Sequence, residues 1–373
     1  MKGIYLFKEL ALLIVSAVLC FACETEELME IASNEAFNVS SDTLVELASG
    51  HAVFKNGDQY TWQGDILLTE DQVNQLDSTG APFEELGEPE PTHGGFPAAF
   101  GGGIRYEGDG LSKSCAVNSN TKIWAMVRFV YAPDGNAPET HLSSASKAKI
   151  QAALKIWEAK TNVRFYNATG EPTRDPIYNF DYPYIFFCNG TDQNDSYVGR
   201  IGGMQKLHLL SSASVGNVLH EIGHAIGLYH EHSRNDRDRY ITVNYSNIQS
   251  KYKYAYDKVT KNYYTMGSFD FSSVMLYSSK SDFAIDKSKP VMTKKDGSMF
   301  VGQRTKLSDG DRRFPNKFYL PYIARSDTYY ELDTVMFDEN NVRLTKEQIL
   351  RIQAQLNNGN PTPPPNGRIK NNF

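Results

Sequence analysis

The sequence predicts an α+β fold, on three observations. Ile150, Ala153, Leu154 and Trp157 recur at i, i+3, i+4 and i+7, which puts one apolar stripe on a helix over Ser146 to Lys160. Val127-Arg128-Phe129-Val130-Tyr131 and Tyr184-Ile185-Phe186-Phe187 are rich in β-branched and aromatic residues and read as strands of a sheet that this helix covers. Val218, Leu219, Ile222, Ala225 and Ile226 supply the buried face of a second helix, leaving His220 and His224 to face a cleft. The expected layout is a twisted sheet with two long helices above and a less regular lower half.

From the N-terminus, Lys2 and Lys8 accompany an apolar run, Leu10 to Ala22, too short to span a bilayer as a helix. Residues 1–23 therefore read as an export signal. The run closes on Cys20 and Cys23, and the acidic Glu24-Thr25-Glu26-Glu27 follows. A cysteine in that place resembles a bacterial lipoprotein signal, with Cys23 as the lipidation site. Cleavage by an ordinary signal peptidase is the alternative. Either route takes the mature protein out of the cytosol, to an outer membrane or cell surface in the first case and to the periplasm or medium in the second.

Residues 24–110 read as a prosegment and linker. Thr69-Glu70-Asp71-Gln72 is a capping box that opens a short helix. Gly87 to Gly103 is rich in glycine and proline, a composition that favours an exposed connection open to proteolysis. Residues 111–320 carry the mixed strand and helix pattern. In the extension 321–373, Thr345 and Gln348 repeat the capping pattern ahead of Ile349, Ile352 and Leu356, and the proline-rich close reads as a disordered tail.

Chemistry concentrates in His220-Glu221-Ile222-Gly223-His224-Ala225-Ile226-Gly227-Leu228-Tyr229-His230-Glu231. One helical turn separates His220 from His224, so both imidazoles project from one face toward a single ion. Glu221 stands beside them, placed to take a proton from water rather than to bind metal. Gly227 falls where a helix ends on a left-handed residue, and the returning chain offers His230 as third ligand. Three ligands leave a fourth position for water, the arrangement of one catalytic Zn2+ ion. A net charge of −6 gives no basic footprint for nucleic acid.

Together with His232-Ser233-Arg234-Asn235-Asp236-Arg237-Asp238-Arg239-Tyr240, this stretch resembles the signature of the astacin family of zinc endopeptidases, HExxHxxGxxHExxRxDRDxY. Phe269-Asp270-Phe271-Ser272-Ser273-Val274-Met275-Leu276-Tyr277 is similar to that family's Met-turn, with Leu276 in place of the usual histidine. Val301-Gly302-Gln303-Arg304-Thr305-Lys306-Leu307-Ser308-Asp309-Gly310-Asp311 matches a third family block. The resemblance covers roughly residues 115 to 320 and implies a two-lobed, metzincin-like domain acting on proteins or peptides.

It also implies roles for individual residues. Met275 packs beneath the zinc ligands, and Tyr277 lies beside the metal and stabilises the oxyanion. Glu231 receives the new N-terminal ammonium once an activating protease removes the prosegment. Asp65, in Trp62-Gln63-Gly64-Asp65, matches the aspartate that fills the fourth zinc position in the latent precursor. Arg234 to Arg239 reads as an ion-pair network beneath the site. His232 is expected at the surface, and His51, His93, His141 and His208 receive no role.

The family's usual catalytic-domain cysteines are missing. Asn162 and Asn194 stand in their neighbourhood, while Cys115 and Cys188 lie elsewhere and could form one bridge. Membrane association is expected only through a lipid anchor. The rival reading is a surface binding protein on a retired protease fold, but Glu221 and all three histidines are retained.

Overall fold

The computed structural model describes residues 43–83, 114–117, 123–124, 127–135, 139–176, 179–319, 337–338, 340–345 and 347–348. The leader with Cys23, the Gly87–Gly103 linker and the proline-rich tail lie outside the described residues.

Four strands, β1 (Thr43–Glu46), β2 (Ala52–Asn56), β3 (Gln59–Trp62) and β4 (Ile66–Leu68), form an antiparallel meander. Helix α1 (Glu70–Thr79) follows, opened by the expected box: Thr69 Oγ1 accepts from Gln72 N–H, and Gln72 Oε1 accepts from Thr69 N–H. After β5 (Ser114–Val117) come β6 (Val127–Tyr131), α2 (Ser144–Lys160), β7 (Phe165–Asn167) and β8 (Tyr184–Asn189). Then follow β9 (Asp195–Tyr197), β10 (Met204–Leu209) and α3 (Val215–Ala225). Nine of these strands make one sheet, ordered β1-β2-β3-β4-β9-β10-β8-β6-β7. Its seam is the parallel pairing of β4 with β9, Ile66 opposite Ser196 and Leu67 opposite Tyr197. The N-terminal segment, expected only as a prosegment with a short helix, thus extends the central sheet.

Helix α2 begins two residues before the apolar periodicity indicates, because Ser143 accepts from Ser146 N–H and fixes the start. Its stripe is buried as expected, and Trp157 Nε1–H donates to Leu219 O of α3 at 3.3 Å. Each such large side chain contributes about 2 kcal/mol by leaving water. The lower half is built from β11 (Ile241–Val243), β12 (Tyr263–Met266), β13 (Met292–Lys294) and short 3-10 turns, closed by α4 (Asp309–Phe318). Strand β11 pairs with β13, and β12 with β5. Two apolar cores result, one between the sheet and α2/α3, the other in the lower half around Ile248, Tyr256, Leu276 and Phe283. Trp62, Ile66 and Leu68 join the first core, and Phe54 joins the second.

Cys115 and Cys188 are free and buried, on β5 and β8, so the bridge they could have made is not formed. Asparagine hydrogen bonds stand near the places where the resemblance led one to expect cysteine. Asn162 N–H donates to Asn316 Oδ1 at 2.8 Å, and Asn162 Nδ2–H donates to Phe337 O at 2.9 Å. This ties the end of α2 to α4 and to the C-terminal extension. Asn194 Oδ1 accepts from Leu210 N–H at 2.8 Å.

His208, given no role from sequence, lies opposite Cys188 in the β10/β8 register and opposite Asp195 in the β10/β9 register. Its Nδ1 is 2.6 Å from Asp195 Oδ1, and both side chains are buried. Burial alone would push the imidazolium down. The Asp195 carboxylate, by charge and hydrogen bond, and Cys188 reverse this and raise the pKa to about 10. A folded pKa above the ordinary His value of about 6.5 means the pair's stabilisation is complete below that pH and fades as pH rises toward 10. His208→Gln should therefore lose most stability relative to the parent near pH 6 and little near pH 10, read by thermal melts. An equal deficit at both pH values would refute the charged pair.

Gly216, in the first turn of α3, touches the chain at Arg304. A Cβ there would lie 1.5 Å from Arg304 O, a backbone atom that cannot rotate away. Gly216→Ala is expected to destabilise by about 3 kcal/mol through forced backbone shifts, measured by denaturant unfolding. A variant within about 0.5 kcal/mol of the parent would show that this contact is soft.

Candidate active site

Helix α3 carries the site, and both its ends are fixed. Ser214 and Asn217 form a capping box at the start. At the other end the orphan carbonyls find partners: His224 O accepts from Gly227 N–H and Gly199 N–H, Ala225 O from Trp124 Nε1–H, and Ile226 O from the Tyr319 hydroxyl. Gly227 has φ +109°, as its place after the helix required, and the chain turns back to bring in His230.

The three imidazoles converge. His220 Nε2 and His230 Nε2 are 3.3 Å apart, and His224 Nε2 and His230 Nε2 are 3.2 Å apart. His220 Nδ1–H donates to Val274 O and His224 Nδ1–H to Leu228 O, each at 2.8 Å. A carbonyl only accepts, so in both rings Nδ1 keeps the proton and Nε2 presents a lone pair. Burial, with Arg304 contributing, lowers the His220 pKa to about 3. Burial also lowers the His230 pKa to about 4 despite the nearby Asp65.

Neutral rings aiming lone pairs at one point repel unless a cation lies between them. Nitrogens bound tetrahedrally to zinc at about 2.0–2.1 Å would be roughly 3.3 Å apart, the spacing seen here. The fourth group is Asp65, whose Oδ1 is 3.0 Å from His230 Nε2 and whose Oδ2 is 3.2 Å from His220 Nε2. The four ligand atoms lie within 4.8 Å of one another, all on buried residues. Three imidazole nitrogens and one carboxylate suit a divalent zinc ion.

Asp65 is carried in by the β3–β4 turn. Its own carbonyl accepts from Ser196 N–H of β9 at 3.1 Å, and the Tyr277 hydroxyl donates to its Oδ2 at 2.8 Å. Gly64 precedes it at φ +97°, and a Cβ there would meet the Tyr277 hydroxyl at 2.9 Å. Both the backbone conformation and the space reserve this position for glycine. Glu221 follows His220 on α3 and is buried.

Glu231 N–H donates to Met275 O at 3.0 Å, and the Met275 side chain is buried. Asp311 clamps this turn, its Oδ1 accepting from the Ser273 hydroxyl and its Oδ2 from Val274 N–H and Ser308 N–H. Because Val274 O receives His220 Nδ1–H, Asp311 positions the His220 ring through one intervening residue. Sequence reasoning had the block containing Asp311 but not this task. Its signal was Ser308-x-x-Asp311, which proves to be the capping box of α4.

Residues 116–320 match the protein-family model described as Astacin, a peptidase family. The chain belongs to the astacin family. Flavastacin of Elizabethkingia meningoseptica is 33% identical over 242 residues, 63% of this chain and 51% of that protein. Zinc metalloproteinase nas-4 of Caenorhabditis elegans is 34% identical over 224 residues, 57% of this chain and 68% of that protein. This chain thus spans about half the length of flavastacin. Among solved structures, high choriolytic enzyme 1, a hatching enzyme zinc-protease from Oryzias latipes, is 27% identical with a TM-score of 0.45, covering 54% of this chain and 96% of that one.

One residue of the astacin signature departs from expectation. His232 is not at the surface but fully buried. A 3-10 turn over Glu231–Ser233 rotates it inward, where its ring lies 4.8 Å from that of His230 and 4.4 Å from that of Tyr277. Its neighbour Glu231 accepts from Asp270 N–H at 2.8 Å and faces Arg234 Nη1 at 3.4 Å. Burial raises the Glu231 pKa to about 8, with Arg234 opposing. Arg234 also pairs with Asp236, and Arg237 donates to His232 O, so the Arg/Asp run is the expected network under the site.

Proposed function

We propose that this chain is made as a latent, exported zinc endopeptidase that hydrolyses internal peptide bonds in protein or peptide substrates. The observation that supports it best is the four-ligand cluster whose fourth member, Asp65, comes from the N-terminal segment. In this reading residues 1–23 are the leader, 24–110 the prosegment and linker, 111–320 the catalytic domain and 321–373 an extension. Cys23 would carry the lipid anchor.

Zinc, when bound, polarises the scissile carbonyl and makes water acidic enough to attack near neutral pH. Glu221 accepts the proton of the attacking water and delivers it to the leaving amine. Tyr277, whose hydroxyl now donates to Asp65, is released with the prosegment and turns its donor to the tetrahedral oxyanion. His220 and His224 are oriented by Val274 O and Leu228 O at Nδ1, which would leave both Nε2 atoms to hold the ion. An activating protease cutting after the prosegment would free an ammonium to pair with Glu231. The buried Glu231 carboxyl, with its pKa near 8, is a site where a second cation promotes ionisation.

Metal removal tests this. A chelator should abolish hydrolysis of an internally quenched peptide by the activated chain and lower its apparent stability by about 4 kcal/mol at a thousandfold zinc excess over Kd. Added zinc should restore both, at one ion per chain. Undiminished hydrolysis by metal-free material would end the zinc reading.

A further inference from the structure

The N-terminal segment does more than present Asp65, because it is a folded unit gripped from both sides of the cleft. The β1–β4 meander and α1 share a core through Val53, Trp62, Ile66, Val73 and Leu76. On the upper side, β4 continues the sheet on β9. On the lower side, the Phe54 ring lies 4.8 Å from that of Tyr254, and His51 Nδ1 is 3.3 Å from Asp257 Oδ2. Gln63 Nε2–H donates to Asp257 O at 3.0 Å, Lys261 Nζ to Thr79 O at 2.7 Å, and Asn262 Nδ2–H to Phe83 O at 2.6 Å. Each of these upper and lower contacts joins residues 43–83 to residues after 113.

We propose that the cleft face formed by β9, Tyr254, Asp257, Lys261 and Asn262 retains residues 43–83 as a bound inhibitor after the chain is cut between 83 and 114. Scission there breaks the covalent link and none of the contacts above. It only exchanges an intramolecular effective concentration for the solution one. Activation then needs a second event that destroys the unit itself. The hairpin tip over Lys55–Asp58 is the accessible place, since its four residues, the last two of β2 and the two-residue turn into β3, are all exposed. A cut there separates Phe54 and His51 from Trp62 and Asp65, so two of the five lower contacts no longer share a chain with the latch and the β2–β3 pairing loses its covalent link. The order of events is linker first with no release, then turn with release.

This rests on the latency reading above, and the experiment separates the two. Full-length chain is prepared with a recognition sequence for a site-specific endopeptidase in the 87–103 linker, or in both the linker and the 55–58 turn. After linker scission alone, the two fragments should elute together on size exclusion at about 1 μM, with peptide hydrolysis below about a tenth of that of doubly cut material. Doubly cut material should shed its N-terminal pieces and hydrolyse fully. Separation of the fragments after linker scission, or hydrolysis then equal to the doubly cut sample, overturns the proposal. If doubly cut, zinc-loaded material stays silent, the peptidase reading fails, while co-elution after the single cut still decides retention.

Discussion

Glu221→Gln is expected to lower kcat by about 10²- to 10⁴-fold in the activated chain while zinc stays bound at one ion per chain. The substitution keeps the size and leaves His220, His224 and His230 in place, so the metal set is intact. What disappears is a carboxylate able to take a proton from water and return it to the departing nitrogen. KM should change much less than kcat, because the lost interaction belongs to the transition state. The measurement pairs steady-state hydrolysis with metal analysis on the same preparation. Hydrolysis equal to the parent would remove Glu221 from the reaction. Loss of zinc together with activity would make it a structural support of the ligands instead.

Asp65→Ala is expected to switch on the uncut precursor. The carboxylate meets three imidazoles and the Tyr277 hydroxyl, all buried. Removing one partner of a buried ionic contact costs about 3 kcal/mol, enough to move a closed-to-open equilibrium by about a hundredfold. Hydrolysis by the precursor should rise by that order yet stay below that of processed enzyme, since Trp62, Ile66 and Leu67 stay buried and β4 stays paired with β9. Asp65→Asn keeps the shape and loses the charge, and should fall between parent and alanine variant. If the alanine precursor remains silent, loads zinc and becomes fully active once cut, Asp65 is not the latch.

Local rules carried much of this structure. The α2 stripe, the strands β6 and β8, the Thr69 capping box and the positive φ of Gly227 follow from periodicity, propensity and backbone sterics acting over a few residues. The convergence of the three imidazoles was legible for the same reason, since helical spacing fixes His220 and His224 and a short return fixes His230. What escaped the sequence depends on contacts between distant segments. His232 looked like a surface residue because adjacency along the chain does not say which way a 3-10 turn will face. His208 acquired a partner only when three strands lined up in register. The pairing of β4 with β9 joins segments more than a hundred residues apart, and no periodicity in either strand announces it.

Asn162 carries a last consequence. Its side chain joins α2, α4 and residue 337 by bonds that form and break at equilibrium, and both Cys115 and Cys188 keep their thiols. This domain can therefore reach its native arrangement without an oxidant, a disulfide isomerase or an oxidising compartment.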